Sequence, residues 1–465
     1  MAKNPKQIPP KSRSKSTRNR LTEAAYISSI SIENIRCFGP EQNLHFTDRF
    51  GNPARWTIIL GNNGTGKTTL LQALALANFR DISKNANIIF EAPELILSRV
   101  SGETFTDWFY TSTARDISSE SRVSIEGVTG STLSSQNQKY TKFGVHVESN
   151  PVDSDSLKGL SWAPMSGGIN SFLNLNISGY GADRKLGKGS IRSTDEDSIG
   201  SLFDEDAKLR NAEEWLLQAD YAASRNALRK KKEIDYLDKV QKALISLLPD
   251  ITSIRFRDTE VSHRIPIVEF NTPYGWVPLN GLSFGYKTLI AWTVDFASRM
   301  FDRYPGSKNP MKEPAVVLVD EIDLHLHPKW QRSIMSYLSE LFPNTQFIAT
   351  AHSPLVVQAA GEANIAVFRR EGDHVVIDQS VSAIRGWRID QVLTSDLFGL
   401  ETARPPELEP LLEERARLLG KSRMTKKDRE RVAELEERIG DLPTGERQED
   451  IEAMDIIRRA ASRLN

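Results

Sequence analysis

Cysteine is almost absent from this sequence of 465 residues, in which Cys37 stands alone. A single cysteine excludes an intrachain disulfide and a cysteine-rich metal cage, and it suits a reducing compartment. Long apolar runs are missing as well: none approaches the roughly 18 residues that a membrane-spanning helix needs, and the N-terminus lacks the apolar core of a secretory signal. We therefore expect a cytoplasmic protein with no membrane partner.

An excess of charge of one sign is also missing, because 60 Lys and Arg residues stand against 61 Asp and Glu residues, a formal net charge of -1. Bulk electrostatics therefore gives no reason to expect a nucleic-acid-binding protein, although local patches remain. Residues 1–22 are such a patch: they are basic, rich in proline and free of acids, and this composition predicts a disordered tail. The tail and the basic run at 229–232 each leave two roles open, a solvated surface or a contact with DNA.

The chain is organised around a strand, a glycine-rich turn and a helix between residues 56 and 76. An apolar run at 56–60 precedes the turn, and leucines recur at helical spacing after it. Backbone N–H groups at a helix N-terminus bind phosphate, and glycine lets the backbone turn tightly and approach closely. The sequence therefore predicts an ATP-binding phosphate loop made of Gly61, Asn62, Asn63, Gly64, Thr65, Gly66, Lys67, Thr68 and Thr69. Lys67 would reach the outer phosphates and Thr68 would ligate Mg2+.

Polar residues follow two further predicted strands. Residues 315–319 predict a central parallel strand that ends at Asp320 and Glu321, and residues 345–350 predict the next strand, which His352 follows. Ligands bind at the carboxyl ends of strands in open α/β sheets, so we expect these side chains to face the phosphate loop. Asp320 would hold Mg2+ and Glu321 would take a proton from the attacking water. His352 would hydrogen-bond the terminal phosphate.

His325 and His327 lie in the turn after the carboxylates and offer an alternative, a metal pair with Asp323. We favour a structured turn over zinc at this position.

Periodicity predicts the remaining elements. Strands are predicted at 26–35, 44–46, 108–111, 123–128, 143–147, 173–180 and within 251–278, with a mobile loop at 129–140, a flexible segment at 190–198, helices within 206–248 and a helix from 283 to about 301. The C-terminal residues predict a helical hairpin that begins near Pro405 and breaks at Pro443, with a capping box formed by Thr425 and Asp428. Three roles stay open for this hairpin: packing on the core, oligomerisation, or docking of a partner.

These patterns divide the chain into five parts. They are a basic tail (1–22), an ATPase segment with the phosphate loop and an antiparallel β layer (23–185), a helical arm insertion (186–250), a second ATPase segment (251–400) and a C-terminal helical appendage (401–465).

Four motifs stand in the order of the ABC-type ATPases, which the chain resembles: the phosphate loop, a degenerate signature Leu-Ser-Phe-Gly-Tyr-Lys at 282–287, the Asp-Glu pair and the histidine. Residues 31–39 and 320–328 resemble the first strand and the carboxylate turn of SMC, RecF and overcoming-lysogenization-defect relatives. More narrowly, the segments at 179–184, 201–204, 213–217 and 285–292 look like AAA/ABC ATPases of prokaryotic anti-phage systems, such as the Septu and retron-associated ATPases.

The resemblance implies an α/β fold, an ABC-type P-loop ATPase with a mixed sheet, an antiparallel β layer, a helical arm insertion and a C-terminal helical hairpin. It implies a homo-oligomer in which two subunits sandwich two ATP molecules. The phosphate loop of one subunit would then face Ser283, Gly285, Tyr286 and Lys287 of the other. Lys67 and Mg2+ would neutralise charge in hydrolysis, with Glu321 acting on the water and His352 sensing the γ-phosphate. The family's glutamine loop is not assigned to any residue.

The predicted function is a nucleotide-gated switch in anti-phage defence that regulates a separately encoded effector such as a nuclease. Only 113 residues follow His352 and they contain no Asp-x-Asp pair, so we expect no nuclease activity in this chain. Two alternatives stay open. One is a DNA-repair ATPase that binds DNA directly, and the other is a nucleotide-dependent scaffold that sequesters a toxic partner.

Overall fold

The computed structural model describes residues 23–78, 80–81, 90–91, 121–135, 139–149, 160–166, 169–185, 187, 198–225, 230–248, 250–257, 266–380, 386–400, 403, 405–421 and 424–439. The chain divides into two compact units, Met1–Val392 and Leu393–Asn465. The finer division into ATPase segments and an arm stays a prediction. In the described part of the chain, no helix is both long enough and apolar enough to cross a membrane.

The strands are β1 Ala24–Glu33, β2 Gln42–His45, β3 Trp56–Gly61, β4 Arg80–Asp81, β5 Phe90–Glu91, β6 Ser121–Gly130, β7 Tyr140–Ser149, β8 Leu160–Ser166, β9 Ile177–Tyr180, β10 Ser253–Arg257, β11 Ile267–Thr272, β12 Gly275–Pro278, β13 Ala315–Val319, β14 Thr345–Thr350, β15 Asn364–Glu371 and β16 His374–Asp378. The α-helices are α1 Lys67–Ala75, α2 Ala212–Arg225, α3 Lys230–Leu247, α4 Phe284–Arg303, α5 Pro328–Gln331, α6 Ile334–Leu341, α7 Pro354–Ala359, α8 Ile389–Leu393, α9 Glu409–Leu419 and α10 Lys426–Ile439.

Six strands of the described chain form a mixed sheet in the order β16-β15-β3-β14-β13-β9. The neighbours from β15 to β9 are parallel, and β16 pairs antiparallel with β15. Strands β13 and β14 are buried along their whole length, as expected of parallel strands that are covered on both faces. The carboxyl ends of β3, β13 and β14 therefore lie at the same edge, where the three predicted site segments begin.

A second sheet is antiparallel and has the order β2-β1-β6-β7-β8 in the described residues. It shares one hydrophobic core with α1 and with the inner face of the mixed sheet. Eight of the nine residues of α1 are buried, because this helix is packed on all its sides. The two sheets are also joined by hydrogen bonds, since the side-chain amide of Gln346 on β14 accepts from the Ile27 N–H at 2.9 Å and donates to the Ile27 carbonyl at 2.8 Å.

Helix α4 is fixed by a buried carboxylate, Asp295, which is 0% exposed. Asp295 accepts hydrogen bonds from the Tyr180 hydroxyl at 2.8 Å, from Arg299 Nε at 2.7 Å and from the Arg210 N–H at 3.0 Å. Asn211, the next residue, caps α2 by accepting from the N–H groups of the first helical turn. The end of β9, the middle of α4 and the start of α2 are therefore held together by one carboxylate.

The second unit contains the helices α9 and α10, which pack through Leu418, Val432 and Leu435. The capping box is confirmed: the Thr425 N–H donates to Asp428 Oδ2 at 2.9 Å, and the Asp428 N–H donates to Thr425 Oγ1 at 3.2 Å. Leu419, the last residue of α9, is 47% exposed and does not belong to this core.

The structure confirms the predicted strands at 56–60, 315–319 and 345–350 and the antiparallel layer, but other boundaries were wrong. Residues 173–180 are not one strand, because a 3-10 helix at Ile169–Asn174 precedes β9. A short apolar run does not distinguish these two conformations. The loop at 129–140 is shorter than predicted, since β6 extends to Gly130 and β7 begins at Tyr140. The predictions for 1–22, 108–111, 190–197 and Pro443 lie outside the described residues.

Candidate nucleotide-binding site

The glycine-rich turn after β3 needs its glycines for conformation and for space. Gly64 and Gly66 both have φ of 78°, in the left-handed region that side chains disfavour. A Cβ on Gly61 would lie 2.7 Å from the Phe368 carbonyl oxygen, and one on Gly66 would collide with Cys37 Sγ. The turn is closed by Thr65, whose hydroxyl donates to the Asn62 carbonyl at 2.8 Å. These constraints leave the N-terminus of α1 uncovered by side chains of the turn itself.

The Lys67 side chain folds back over this turn and is only 7% exposed. Its Nζ donates to the carbonyl oxygens of Gly61 at 2.8 Å and Asn62 at 3.0 Å, and it contacts no carboxylate among the described residues. Burial lowers the pKa of Lys67, while the nearby Asp320 and Glu321 oppose that shift. A buried ammonium without an anionic partner is costly, so this geometry suits a site that receives an anion.

Asp320 joins the phosphate-loop helix to β13 and β14. Its Oδ2 accepts from the Thr68 hydroxyl at 2.6 Å, and its Oδ1 accepts from the Thr350 hydroxyl at 2.5 Å. The Thr350 hydroxyl in turn accepts from the Glu321 N–H at 2.7 Å. Glu321 has φ of 48°, so a residue with a side chain occupies the left-handed region at the predicted acid–base position.

Arg184 lies beneath the same turn and is 2% exposed. Its Nη1 donates to the Asp320 carbonyl, and its Nη2 donates to the Glu321 carbonyl at 2.8 Å. Burial lowers the pKa of Arg184 to about 10, with Asp320, Glu321 and Asp323 opposing the shift, so the guanidinium keeps its charge at neutral pH.

Asp323 and the two nearby histidines make contacts within and beside the carboxylate turn. The Asp323 carboxylate accepts from the His352 N–H at 3.0 Å, and the His327 side chain accepts from the Lys329 N–H at 3.3 Å as the cap of α5. His325 has φ of 63° and its ring meets Phe284 edge-on at 4.6 Å. Among the described residues no group of three or more His, Cys, Asp or Glu side chains is placed to hold a metal ion.

Residues 63–69 of the predicted loop, the two predicted carboxylates and His352 meet in one cleft of about 380 Å³, whose lining does not include Gly61 or Asn62. It is lined by Arg36, Cys37, Asn63, Gly64, Thr65, Gly66, Lys67, Thr68, Thr69, Asp320, Glu321 and His352. A second cleft of about 470 Å³ shares part of this lining and adds Asn62 and the hairpin residues Arg370, Asp373, His374 and Val375. Both volumes fall within the roughly 300–1,000 Å³ of small-molecule sites.

The signature residues lie elsewhere. Among the described residues that line the two clefts, none comes from 283–287. Ser283 begins α4, Gly285 packs so closely that a Cβ would lie 2.5 Å from the His325 carbonyl oxygen, and the Tyr286 ring meets Trp330 at 4.4 Å. Lys287 lies in the first turn of α4. Gly285 and Tyr286 therefore pack against the far end of the carboxylate turn in their own chain.

Sequence reasoning missed four residues at the site: Arg36, Cys37, Arg184 and Thr350. Arg36 has φ of 50° and its Nη1 donates to Thr69 Oγ1 at 3.2 Å. The signal for Arg36 and Cys37 was their place just after β1, in the segment that resembles the SMC relatives. The signal for Arg184 was a basic residue four positions after the end of a buried strand. Thr350 gave no signal, because one more polar residue does not stand out in a strand that also contains Thr345 and Gln346.

Two family models match the chain. One is described as "AAA domain" and matches residues 29–252, and the other is described as "AAA domain, putative AbiEii toxin, Type IV TA system" and matches residues 188–358. Together they span the phosphate loop, the signature, the carboxylates and the histidine.

The chain is similar to curated proteins of two groups. It is 27% identical over 421 residues to "Septu protein PtuA" of Bacillus mycoides (strain KBAB4), an alignment that covers 89% of this chain and 50% of that protein. It is 27% identical over 387 residues to "Retron Vc95 probable ATPase" of Vibrio cholerae serotype O1 biovar El Tor, covering 73% of this chain and 74% of that protein. The chain thus spans half the length of that Septu relative.

Among solved structures, an SMC head bound to the C-winged helix domain of ScpA matches with a TM-score of 0.44 and 15% identity, over 76% of this chain and 97% of that one. The family models, the curated relatives and the phosphate loop facing an Asp-Glu pair agree with one another. The chain is thus related to AAA-domain ATPases and similar to Septu PtuA and the retron probable ATPase.

Proposed function

We propose that this chain binds ATP, hydrolyses it, and acts as a nucleotide-gated switch that regulates a separately encoded effector, such as a nuclease, in anti-phage defence. One observation carries the ATPase part. The Thr68 hydroxyl, at the N-terminus of α1, lies 2.6 Å from Asp320 at the end of β13, and Glu321 and His352 line the same cleft. Residues distant in sequence are thus assembled where a triphosphate would lie on the loop.

The loop and the N-terminus of α1 would bind the phosphates of ATP. Backbone N–H groups at 64–69 would surround the phosphates and the helix dipole would favour their charge. Lys67 would exchange its contacts with the carbonyls of Gly61 and Asn62 for the outer phosphates. The adjoining cleft, bordered by Arg370 and His374, leaves room for the nucleoside.

The side-chain oxygen atoms of Thr68 and Asp320 are suitable ligands for Mg2+. A hydroxyl and a carboxylate oxygen already in contact are the hard oxygen ligands that this ion prefers, and Glu321 adds a second carboxylate beside them. Bound Mg2+ would neutralise charge on the phosphates. The Thr68 hydroxyl donates its proton to Asp320, which leaves the lone pairs of its oxygen available as a ligand for such an ion.

Hydrolysis needs a residue that orients the water and one that contacts the terminal phosphate. Glu321 lines the cleft and would accept the proton of the attacking water. His352 lines the cleft as well, and its backbone is anchored by Asp323. His352 would thus hydrogen-bond the γ-phosphate from a fixed position.

The switch part of the proposal needs a second copy of the chain. The signature residues do not reach the cleft of their own subunit, and Phe284 in the first turn of α4 is 52% exposed. An exposed helix N-terminus with Ser283 at its cap would close on the γ-phosphate of another copy. Hydrolysis would then release the two subunits. The effector part is supported by the similarity to Septu PtuA and the retron ATPase.

The test is the variant Glu321→Gln, with Glu340→Gln on the exposed surface of α6 as its control. We expect Glu321→Gln to bind ATP, to lose about two orders of magnitude of turnover, and to double its mass in light scattering only with ATP and Mg2+. Unchanged turnover would remove Glu321 from its role, and a mass that does not respond to nucleotide would refute the switch. Strong stimulation of the wild type by short duplex DNA would favour the DNA-repair alternative.

A further inference from the structure

Arg184 is buried directly behind the carboxylate turn but is not part of the cleft lining. Its two terminal nitrogens donate to two consecutive backbone carbonyls, those of Asp320 and Glu321. The guanidinium is a planar fork, so it fixes the relative orientation of the two peptide groups that it contacts. The residue is therefore bound to the backbone that carries the reacting side chains and not to the side chains themselves.

Burying the Arg184 guanidinium in this way is unfavourable for the stability of the fold. The Arg184 Nε has no hydrogen-bond partner among the described residues, and burying a charge away from water is unfavourable in free energy. A well-packed apolar side chain would cost less at this position, but it would leave both carbonyls without a donor. The observed residue therefore stabilises one particular conformation of the turn more than it stabilises the fold.

That conformation is the left-handed one at Glu321. Its N–H group donates to the Thr350 hydroxyl at 2.7 Å, and its carbonyl accepts from Arg184 at 2.8 Å. Both polar backbone groups of the strained residue are thus held from opposite sides. Loss of either partner would let the backbone relax towards the common regions of φ and ψ, and the side chain would turn with it.

The loop that carries Arg184 is itself fixed. A Cβ on Gly181 would collide with the Ser201 carbonyl oxygen, and the Ser201 hydroxyl donates to the Gly179 carbonyl at 3.0 Å. The neighbouring Leu202 carbonyl accepts from Gln72 on α1 at 2.7 Å. The start of the loop that carries Arg184 is therefore linked to α1 through Ser201 and Leu202.

We propose that Arg184 is a positioning residue for ATP hydrolysis: it holds the backbone of Asp320 and Glu321 so that the Glu321 carboxylate points into the cleft, and it does not touch the nucleotide. The inference rests on the proposed ATPase function of the same site. It predicts that removing Arg184 lowers turnover while leaving nucleotide affinity in place, and that it does so only as long as Glu321 is present.

The experiment is a double-mutant cycle on the full chain with single-turnover hydrolysis of radiolabelled ATP. Arg184→Met and Arg184→Lys are each made in the wild type and in Glu321→Gln. In the wild type we expect Arg184→Met to slow hydrolysis about 100-fold, the scale of a misplaced reacting group, and Arg184→Lys to slow it about tenfold because lysine reaches one carbonyl. In Glu321→Gln both changes should alter the rate by less than about twofold, since the side chain that they misplace is already inactive. ATP affinity should change by less than about threefold throughout.

Arg299→Lys is the control, because it also shortens a buried arginine, and Arg299 pairs with Asp295 in α4 and does not line the described cleft. It should lower thermal stability and leave hydrolysis unchanged in both backgrounds. An equal slowing by Arg184→Met in both backgrounds, or a matching loss of ATP affinity, would overturn the positioning role while the ATPase function stands. If Arg184→Met does not fold, Arg184→Lys decides by the same comparison. A wild type that does not hydrolyse ATP would overturn the proposed function and this inference together.

Discussion

Replacing Thr350 by valine tests the arrangement of the carboxylate turn most directly. Valine has nearly the same shape, so no cavity forms at this fully buried position, and only the hydroxyl is lost. That hydroxyl donates to Asp320 at 2.5 Å and accepts from the Glu321 N–H at 2.7 Å. A hydrogen bond to a charged group contributes about 1.5–3 kcal/mol, and a buried N–H left without a partner costs about 1–3 kcal/mol. We therefore expect the free energy of unfolding to fall by about 3 kcal/mol and turnover to fall at least about tenfold, since the Glu321 backbone loses one of its two anchors.

Thr345, at the start of the same strand, provides a matched control. It is also fully buried, but its hydroxyl has no hydrogen-bond partner among the described residues. Thr345→Val should leave the free energy of unfolding the same or raise it, because it removes an unsatisfied polar group. Urea unfolding of both variants without nucleotide gives the stabilities, and steady-state ATP hydrolysis gives the turnover. Equal stabilities for the two variants would refute the role assigned to the Thr350 hydroxyl.

Two further substitutions test the loop and the buried carboxylate of α4. Gly66→Ala should abolish ATP binding, measured with a fluorescent analogue, and should destabilise the protein more than Gly51→Ala. Both glycines have a left-handed φ, so alanine at either position is destabilising by about 1–2 kcal/mol. At Gly66 the new Cβ also collides with Cys37, whereas a Cβ at Gly51 meets nothing within 4 Å. Asp295→Asn should lower the free energy of unfolding by about 3 kcal/mol at pH 7. Burial would raise the pKa of Asp295, but Arg299 and its other donors hold it below the usual value. The difference from wild type should therefore be full at neutral pH and shrink below about pH 4, as the carboxylate becomes protonated. A pH-independent difference in urea unfolding would contradict this.

The parts of the fold that the sequence predicted well are those set by local pattern. Strands β13 and β14 have the predicted bounds because residues 315–319 are an uninterrupted apolar run and residues 347–349 are the apolar centre of the next strand. The phosphate loop was predictable for a similar reason, since its glycines and Lys67 are dictated by the conformation of nine consecutive residues. The element that was misread, residues 173–180, combines two short apolar stretches whose period does not separate a 3-10 turn from a strand.

The residues that support the site were not predictable, because their partners are far away in the chain. Arg184 contacts carbonyls more than a hundred residues later, and Thr350 contacts Asp320 across two neighbouring strands. Backbone carbonyls are present at every position and carry no sequence signal, so a residue that binds them looks like any other buried polar group. Only the topology of the sheet, with β9 beside β13, shows why Arg184 reaches this turn.

The same contacts limit how a nucleotide could move the protein. The turn from Glu321 onwards is held by Arg184 and Thr350 at its start, and Gln331 donates to the Leu326 carbonyl at 3.0 Å and accepts from the Ser353 hydroxyl at 2.7 Å. Because the turn is held at these points, we expect it to move as a rigid segment. Its far end lies against the N-terminus of α4, through the Phe284–His325 and Tyr286–Trp330 ring contacts. In the proposed dimer, the group that acts on one nucleotide and the surface that caps the partner's nucleotide would thus be two ends of one rigid segment. Hydrolysis at one site would therefore displace the cap on the other site. Because the two sites depend on each other in this way, we predict that a mixed dimer with one Glu321→Gln subunit keeps less than half of the wild-type turnover.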